Sequence, residues 1–125
     1  MMTKSEKAEK NYSTGLNCGQ AVLAAFHENA AINEEQAIKI GTGMGAGLCS
    51  GDLCGAVNAA VAAISLKYGG QSGEEKMMVM QKTKKYLDEF KKWGGSTNCI
   101  NLKRESGKSC KDIVKFSGQI LENII

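Results

Sequence analysis

Apolar residues recur along this chain at three- and four-residue intervals, and nowhere do apolar and polar residues alternate over a strand-length window. That periodicity predicts helices throughout. Residues 4–14, rich in Lys, Glu and Ala, predict a first helix lying on the surface and ended by Gly15. Asn17 is placed to cap a second helix from Cys18 to about Ala31, with Ala21, Val22, Ala25 and Phe26 on its core face. Asn33 followed by Glu34, Glu35 and Gln36 has capping-box spacing for a short third helix through Ile38 and Ile40. Asp52 is placed to cap a fourth, Leu53 to Tyr68, whose interior of Gly55, Ala56, Ala59, Ala60, Ala62 and Ala63 lets neighbours approach closely. This is the predicted central helix. A fifth runs from Gly73 to Trp93 with Met80, Thr83, Leu87 and Phe90 on one stripe and Tyr86 beside it. After Gly94 and Gly95 comes a basic loop containing Cys99. Ser109 then caps a last helix, Cys110 to Ile124, with Ile113, Phe116 or Ser117, Ile120, Leu121 and Ile124 as its apolar face. The expectation is all-α: residues 1–125 as one domain, five to six helices bundled around the small-residue helix.

Between the third and fourth helices lies GTGMGAGLCSG, residues 41–51. Glycine there permits positive φ and close backbone approach. The segment is therefore either an irregular turn beneath another helix or a loop wrapping a ligand, with Gly43, Gly45, Gly47 and Gly55 lining it.

Composition narrows the classes. The 125 residues include fifteen glycines, no proline and five cysteines. Five cysteines are too sparse for a disulfide scaffold, and an odd number cannot all pair within one chain. No apolar leader or bilayer-length stretch is visible, since the most apolar run, Cys54 to Leu66, spans thirteen residues. A cytoplasmic protein without membrane insertion is expected, and in a reducing compartment cysteines point to redox or metal chemistry. The net charge of +3 divides into −2 over residues 1–62 and +5 over 63–125. One arginine and no recognisable DNA- or RNA-binding motif argue against nucleic acid.

Several motifs fail on context. GTGMGA matches a dinucleotide fingerprint formally, but no strand precedes it and Asp52 comes too early for the ribose acid. Gly107-Lys108-Ser109 lacks the first glycine of a P-loop, because residue 102 is Leu. There is no CxxC, CxxCH or HExxH, and His27, the one histidine, reads as an edge residue.

The thiols remain. Cys18, Cys54 and Cys110 fall in the first turns of predicted helices, where unpaired amides and the helix dipole favour thiolate. Lys108 and Lys111 around Cys110, and Lys103 and Arg104 after Cys99, act in the same direction.

Cys18 in LNCGQAVL, the glycine run into Cys54-Gly55-Ala56, Cys99 in GGSTNC and Cys110 in the last helix together resemble the C_GCAxxG_C_C family of putative redox-active proteins. The resemblance extends from Asn17 to Glu122. The sequence departs from the motif at Ala59, where the family has Gly, and Cys49 lies outside the four-cysteine pattern. The resemblance implies thiol redox activity through Cys18, Cys54, Cys99 and Cys110, with an unidentified redox partner, no substrate named and no cofactor required. Four cysteines allow three pairings; Cys99 with Cys110 and Cys18 with Cys54 is favoured because the first pair spans a short loop. One alternative is a zinc or iron–sulfur site held by the same four cysteines, with Cys49 as an added ligand. The other is a non-catalytic helical module associated with transport, homo-oligomeric through Met77, Met78 and Met80, although such a stripe is more often core.

Overall fold

A computed structural model describes residues 1–125, which fold into seven α-helices: α1 Lys4–Ser13, α2 Cys18–Ala25, α3 Glu34–Gly41, α4 Gly55–Tyr68, α5 Gly73–Gly94, α6 Cys99–Arg104 and α7 Cys110–Ile124. There are no strands. Side-chain caps set the helix starts. Thr3, Asn17, Asn33 and Ser72 each close a capping box with the Glu or Gln three residues on. Ser109 caps α7 by accepting from the Asp112 amide at 3.1 Å. No helix is long and apolar enough to cross a membrane.

The core is one cluster of 24 buried residues. α4 lies at its centre, packed against α2, α5 and α7. Its alanines Ala56, Ala59, Ala60 and Ala63 are all fully buried, which lets the larger side chains Phe26, Leu23, Phe90 and Leu121 close in from the surrounding helices. A buried polar link ties three of these helices together. The Tyr86 hydroxyl on α5 pairs with Ser117 Oγ on α7 at 2.7 Å, and Ser117 in turn donates to the Ala56 carbonyl on α4 at 3.1 Å. Every polar atom in the link is thereby satisfied.

Several expectations need correction. α1 lies at the surface as expected, but not loosely: one face packs along α2 and α7 and buries Ser5 and Ala8. A Cβ at Gly118 would lie 2.8 Å from the Ser5 Cα, so this glycine is what admits α1 onto α7. α2 stops at Ala25 rather than Ala31. The residues beyond it form turns, with Ala31 left-handed (φ 58°) and the His27 Nδ1 paired with the Ile32 carbonyl at 3.0 Å. α4 begins at Gly55 with Cys54 as its N-cap, not at Leu53 with Asp52. The reason is tertiary: Leu53 is held in an antiparallel bridge with Asn98. The loop expected around Cys99 is the helix α6, started by Asn98 Oδ1 accepting from the Asn101 amide. On α5 the buried phase runs through Val79, Thr83, Tyr86 and Phe90, which turns the methionines outward: Met77 is 60%, Met78 44% and Met80 62% exposed. They are not core.

Candidate thiol site

Four helices begin at a cysteine. Cys18 is the first residue of α2, Cys54 the N-cap of α4, Cys99 the first residue of α6 and Cys110 the first of α7. The recurrence read for three of them thus holds for all four. All five cysteines are free thiols; Cys18, Cys54 and Cys99 are buried, Cys110 is half-buried and Cys49 is exposed.

Backbone pairing sets Cys54 beside Cys99. The Cys54 amide donates to the Thr97 carbonyl at 2.8 Å and the Cys99 amide to the Asp52 carbonyl at 2.6 Å, one on each side of the Leu53–Asn98 bridge. Residues two apart on such a pair point to the same side, so the two thiols share a face at diagonal positions. Missing side chains bring the other helix starts in. A Cβ on Gly55 would lie 2.6 Å from Cys18 Sγ and would also collide with the Met44 carbonyl, so only glycine lets the start of α2 rest on the start of α4. Gly47 does the same for α6: its absent Cβ would fall 2.6 Å from the Cβ of Cys99.

Gly47 also belongs to the most unusual backbone of the molecule. Ala46, Gly47, Leu48 and Cys49 are four consecutive left-handed residues, with φ between 52° and 63°. For the three that are not glycine, this conformation costs on the order of 1–2 kcal/mol each. The reversal directs the Ala46 amide toward the Cys18 sulfur and seats Gly47 against Cys99, and the Asp52 amide closes it on the Gly47 carbonyl at 2.9 Å. Gly45, Gly47 and Gly55 thus serve the packing of this irregular turn against its neighbours. The space beside Gly45, Gly47 and Gly55 is filled by Asn17, Cys99 and Cys18, while Gly43 faces open space.

Electrostatics separates the thiols. Burial pushes Cys54 up from 9.0 to about 12, against the opposing pull of the Val57 and Ala56 amides in the first turn of α4; no strict capping hydrogen bond closes to the sulfur. Burial likewise raises Cys18, reinforced by the nearby Cys110, and outweighs the Ala46 and Gly19 amides. The expected helix-start thiolate therefore fails at these two positions, because desolvation exceeds the help of two amides. Cys110 has other neighbours. The Tyr12 hydroxyl from α1 and the Lys103 ammonium from α6 both approach its sulfur at interaction distance, without hydrogen bonds of strict geometry. The approach to Cys110 is the main cause that raises each of them.

Cys18 and Cys110 meet at a cleft of about 420 Å³, whose wall also includes Tyr12, Leu16, Asn17, Ala46 and Lys103. No local pattern points to Tyr12, and adjacency in the chain associates Lys103 with Cys99 rather than with Cys110. Of the other cations named around Cys110, Lys108 stacks over the Trp93 ring at 4.4 Å and Lys111 is exposed away from the cleft wall. No group of three or more His, Cys, Asp or Glu side chains is gathered as a metal's donor set requires, so the residues present do not fit a zinc or iron–sulfur centre. Cys49 lies on the outer side of the left-handed turn, its sulfur 3.7 Å from the Gly43 carbonyl.

The family model described as "Putative redox-active protein (C_GCAxxG_C_C)" matches residues 16–124, nearly the whole chain, and the chain belongs to that family. Comparison with curated proteins and with solved structures gives no match.

Proposed function

From family membership and this geometry, we propose that the protein is a dithiol–disulfide redox protein in which Cys110 attacks and Cys18 resolves. The observation that carries the reading is that these two thiols, and no other pair, line one open cleft. Cys110 is the more accessible, and beside its sulfur stand a cation, a phenol and the start of a 15-residue helix.

The Cys110 thiolate attacks one sulfur of a substrate disulfide. The substrate S–S bond breaks, a mixed disulfide forms, and the departing thiolate takes up the proton that Cys110 released. Cys18 then loses its proton and attacks the Cys110 sulfur, forming the Cys18–Cys110 disulfide and expelling the second substrate thiolate, which takes that proton. Two protein thiols are oxidised and one disulfide is reduced to two thiols. A separate dithiol reductant restores the starting state. The high pKa of Cys18 suits it to the second step, since it stays protonated until the mixed disulfide lies beside it. Cys54 and Cys99, joined across the backbone bridge, form an inner pair behind the cleft. This assignment replaces the pairing favoured from loop length.

With a small disulfide as oxidant and Cys49→Ser in the background, Cys18→Ser is expected to accumulate a mixed disulfide on Cys110, seen by peptide mass spectrometry, while Cys110→Ser accumulates none. Equal adduct formation on Cys18, Cys54 or Cys99 in Cys110→Ser would remove Cys110 from the attacking role.

A further inference from the structure

The cleft constrains what reaches Cys110. It is shallow and open, and its volume of about 420 Å³ is within the range of small-molecule sites. Its wall carries one charged side chain, Lys103. That lysine makes no ion pair: the three salt bridges of the molecule belong to Lys39, Lys92 and Lys115. The groups acting on it are Cys110, Cys99 and Tyr12, none of them a carboxylate. An ammonium has three donors, so contact with the Cys110 sulfur leaves others free. The remaining polar side chain in the wall besides Tyr12 is already engaged, because Asn17 accepts from the Gln20 amide at 2.8 Å and donates to the Thr42 carbonyl at 3.1 Å. Leu16 and Ala46 supply an apolar flank for a substrate's carbon and sulfur atoms.

We infer that the cleft selects a small disulfide bearing a carboxylate, with Lys103 pairing the carboxylate while the disulfide sulfur lies against Cys110. The inference rests on the dithiol reading above and adds the substrate class to it. Recognition and attack are coupled in this arrangement. One cation holds the anionic end of the substrate within a side chain's length of the attacking sulfur, which orients the S–S bond for displacement. A cationic disulfide meets the same ammonium as a like charge and is disfavoured.

Three disulfides test it: 3,3′-dithiodipropionate (anionic), bis(2-hydroxyethyl) disulfide (neutral) and cystamine (cationic). The reduced full-length chain carrying Cys18→Ser, so that the adduct is not resolved, and Cys49→Ser is mixed with each, quenched in acid, and the mixed disulfide on Cys110 is followed by mass spectrometry. Each rate is divided by that of the same disulfide with a free model thiol, which removes the intrinsic leaving-group difference. The expected order is anionic, neutral, cationic, with roughly tenfold or more between the extremes. Lys103→Gln is expected to bring the extremes within about twofold, and Lys103→Arg to retain most of the preference. The ratio cancels any change in how readily Cys110 ionises, which a purely electrostatic helper of the thiol would alter equally for all three probes. Lys111→Gln removes the same formal charge outside the cleft and is expected to leave the ratio unchanged. An unchanged ratio in Lys103→Gln, or an equal fall in Lys111→Gln, overturns the inference while leaving the dithiol reading intact. No adduct on Cys110 with any of the three disulfides overturns the dithiol reading itself, and the inference with it.

Discussion

Cys54 and Cys110 both stand at the start of a long helix, yet their surroundings oppose each other. Cys54, next to the Leu53–Asn98 bridge, is 4% exposed, and burial drives its pKa to about 12. At Cys110 the helix begins at the edge of a cleft, half-buried, with Lys103 and Tyr12 turned toward the sulfur. The same local motif therefore places a thiol inside the core in one place and at the wall of an open cleft in the other. What differs is desolvation: the amides of a helix's first turn offset only part of the cost of burying a charge.

Native-state alkylation is the strongest way to break this contrast. Moving a thiol from 9.0 to about 12 lowers its thiolate fraction at neutral pH by about a thousandfold, before any loss of access. With limiting iodoacetamide at pH 7.5, Cys110 and exposed Cys49 are expected to label first and Cys54 at least about a thousandfold more slowly than in urea. Labelling of Cys54 within tenfold of Cys110 would erase the distinction.

The buried end can also be forced open. Gly55→Ala places a methyl on the Met44 carbonyl and 2.6 Å from Cys18 Sγ, an overpacking that costs about 3 kcal/mol in urea unfolding and speeds labelling of Cys18. Gly43→Ala, made into open space in the same run, is expected to stay within about 0.5 kcal/mol of the parent. If the two alanines cost the same, the tight seat of Cys18 on α4 is wrong.

A smaller effect sharpens the contrast through pH. Unfolded, Cys54 loses its proton near 9.0; folded, it keeps it to about 12. Between those values the folded state binds more protons, so the contribution is complete below pH 9 and is lost as pH rises toward 12. The slope reaches about 1.4 kcal/mol per pH unit. Urea titrations of the reduced protein at pH 8.5, 9.5 and 10 are expected to show falling stability that Cys54→Ala lessens and Gly43→Ala does not. Equal slopes in the two variants would place the pH-sensitive burial elsewhere.

Much of the helical plan was legible because its signals are local. The caps Asn17, Asn33 (with Gln36 three residues on) and Ser109 stand where their helices start, and the apolar face of α7 repeats at helical spacing. Failures occurred where distant chain intervened. Asp52 looked like a cap and is instead paired with the Cys99 amide; Met80 looked like core and is displaced from it by the phase that Tyr86 and Phe90 impose. The short α6 was missed because a six-residue helix shows too few turns for periodicity to register.

For the site, the sequence by itself determined the four-cysteine pattern of the family, that Cys18, Cys54 and Cys110 fall at helix starts, and that a glycine run precedes Cys54, since these are facts of order and spacing. Only the tertiary structure decided which thiols are silenced and which two share a cleft. Burial and the approach of Tyr12 and Lys103, from 98 and 7 residues away along the chain, depend on where helices end up relative to one another. A pKa is set by the dielectric and charges around an atom in space, and those neighbours have no signature in the residues adjacent to it.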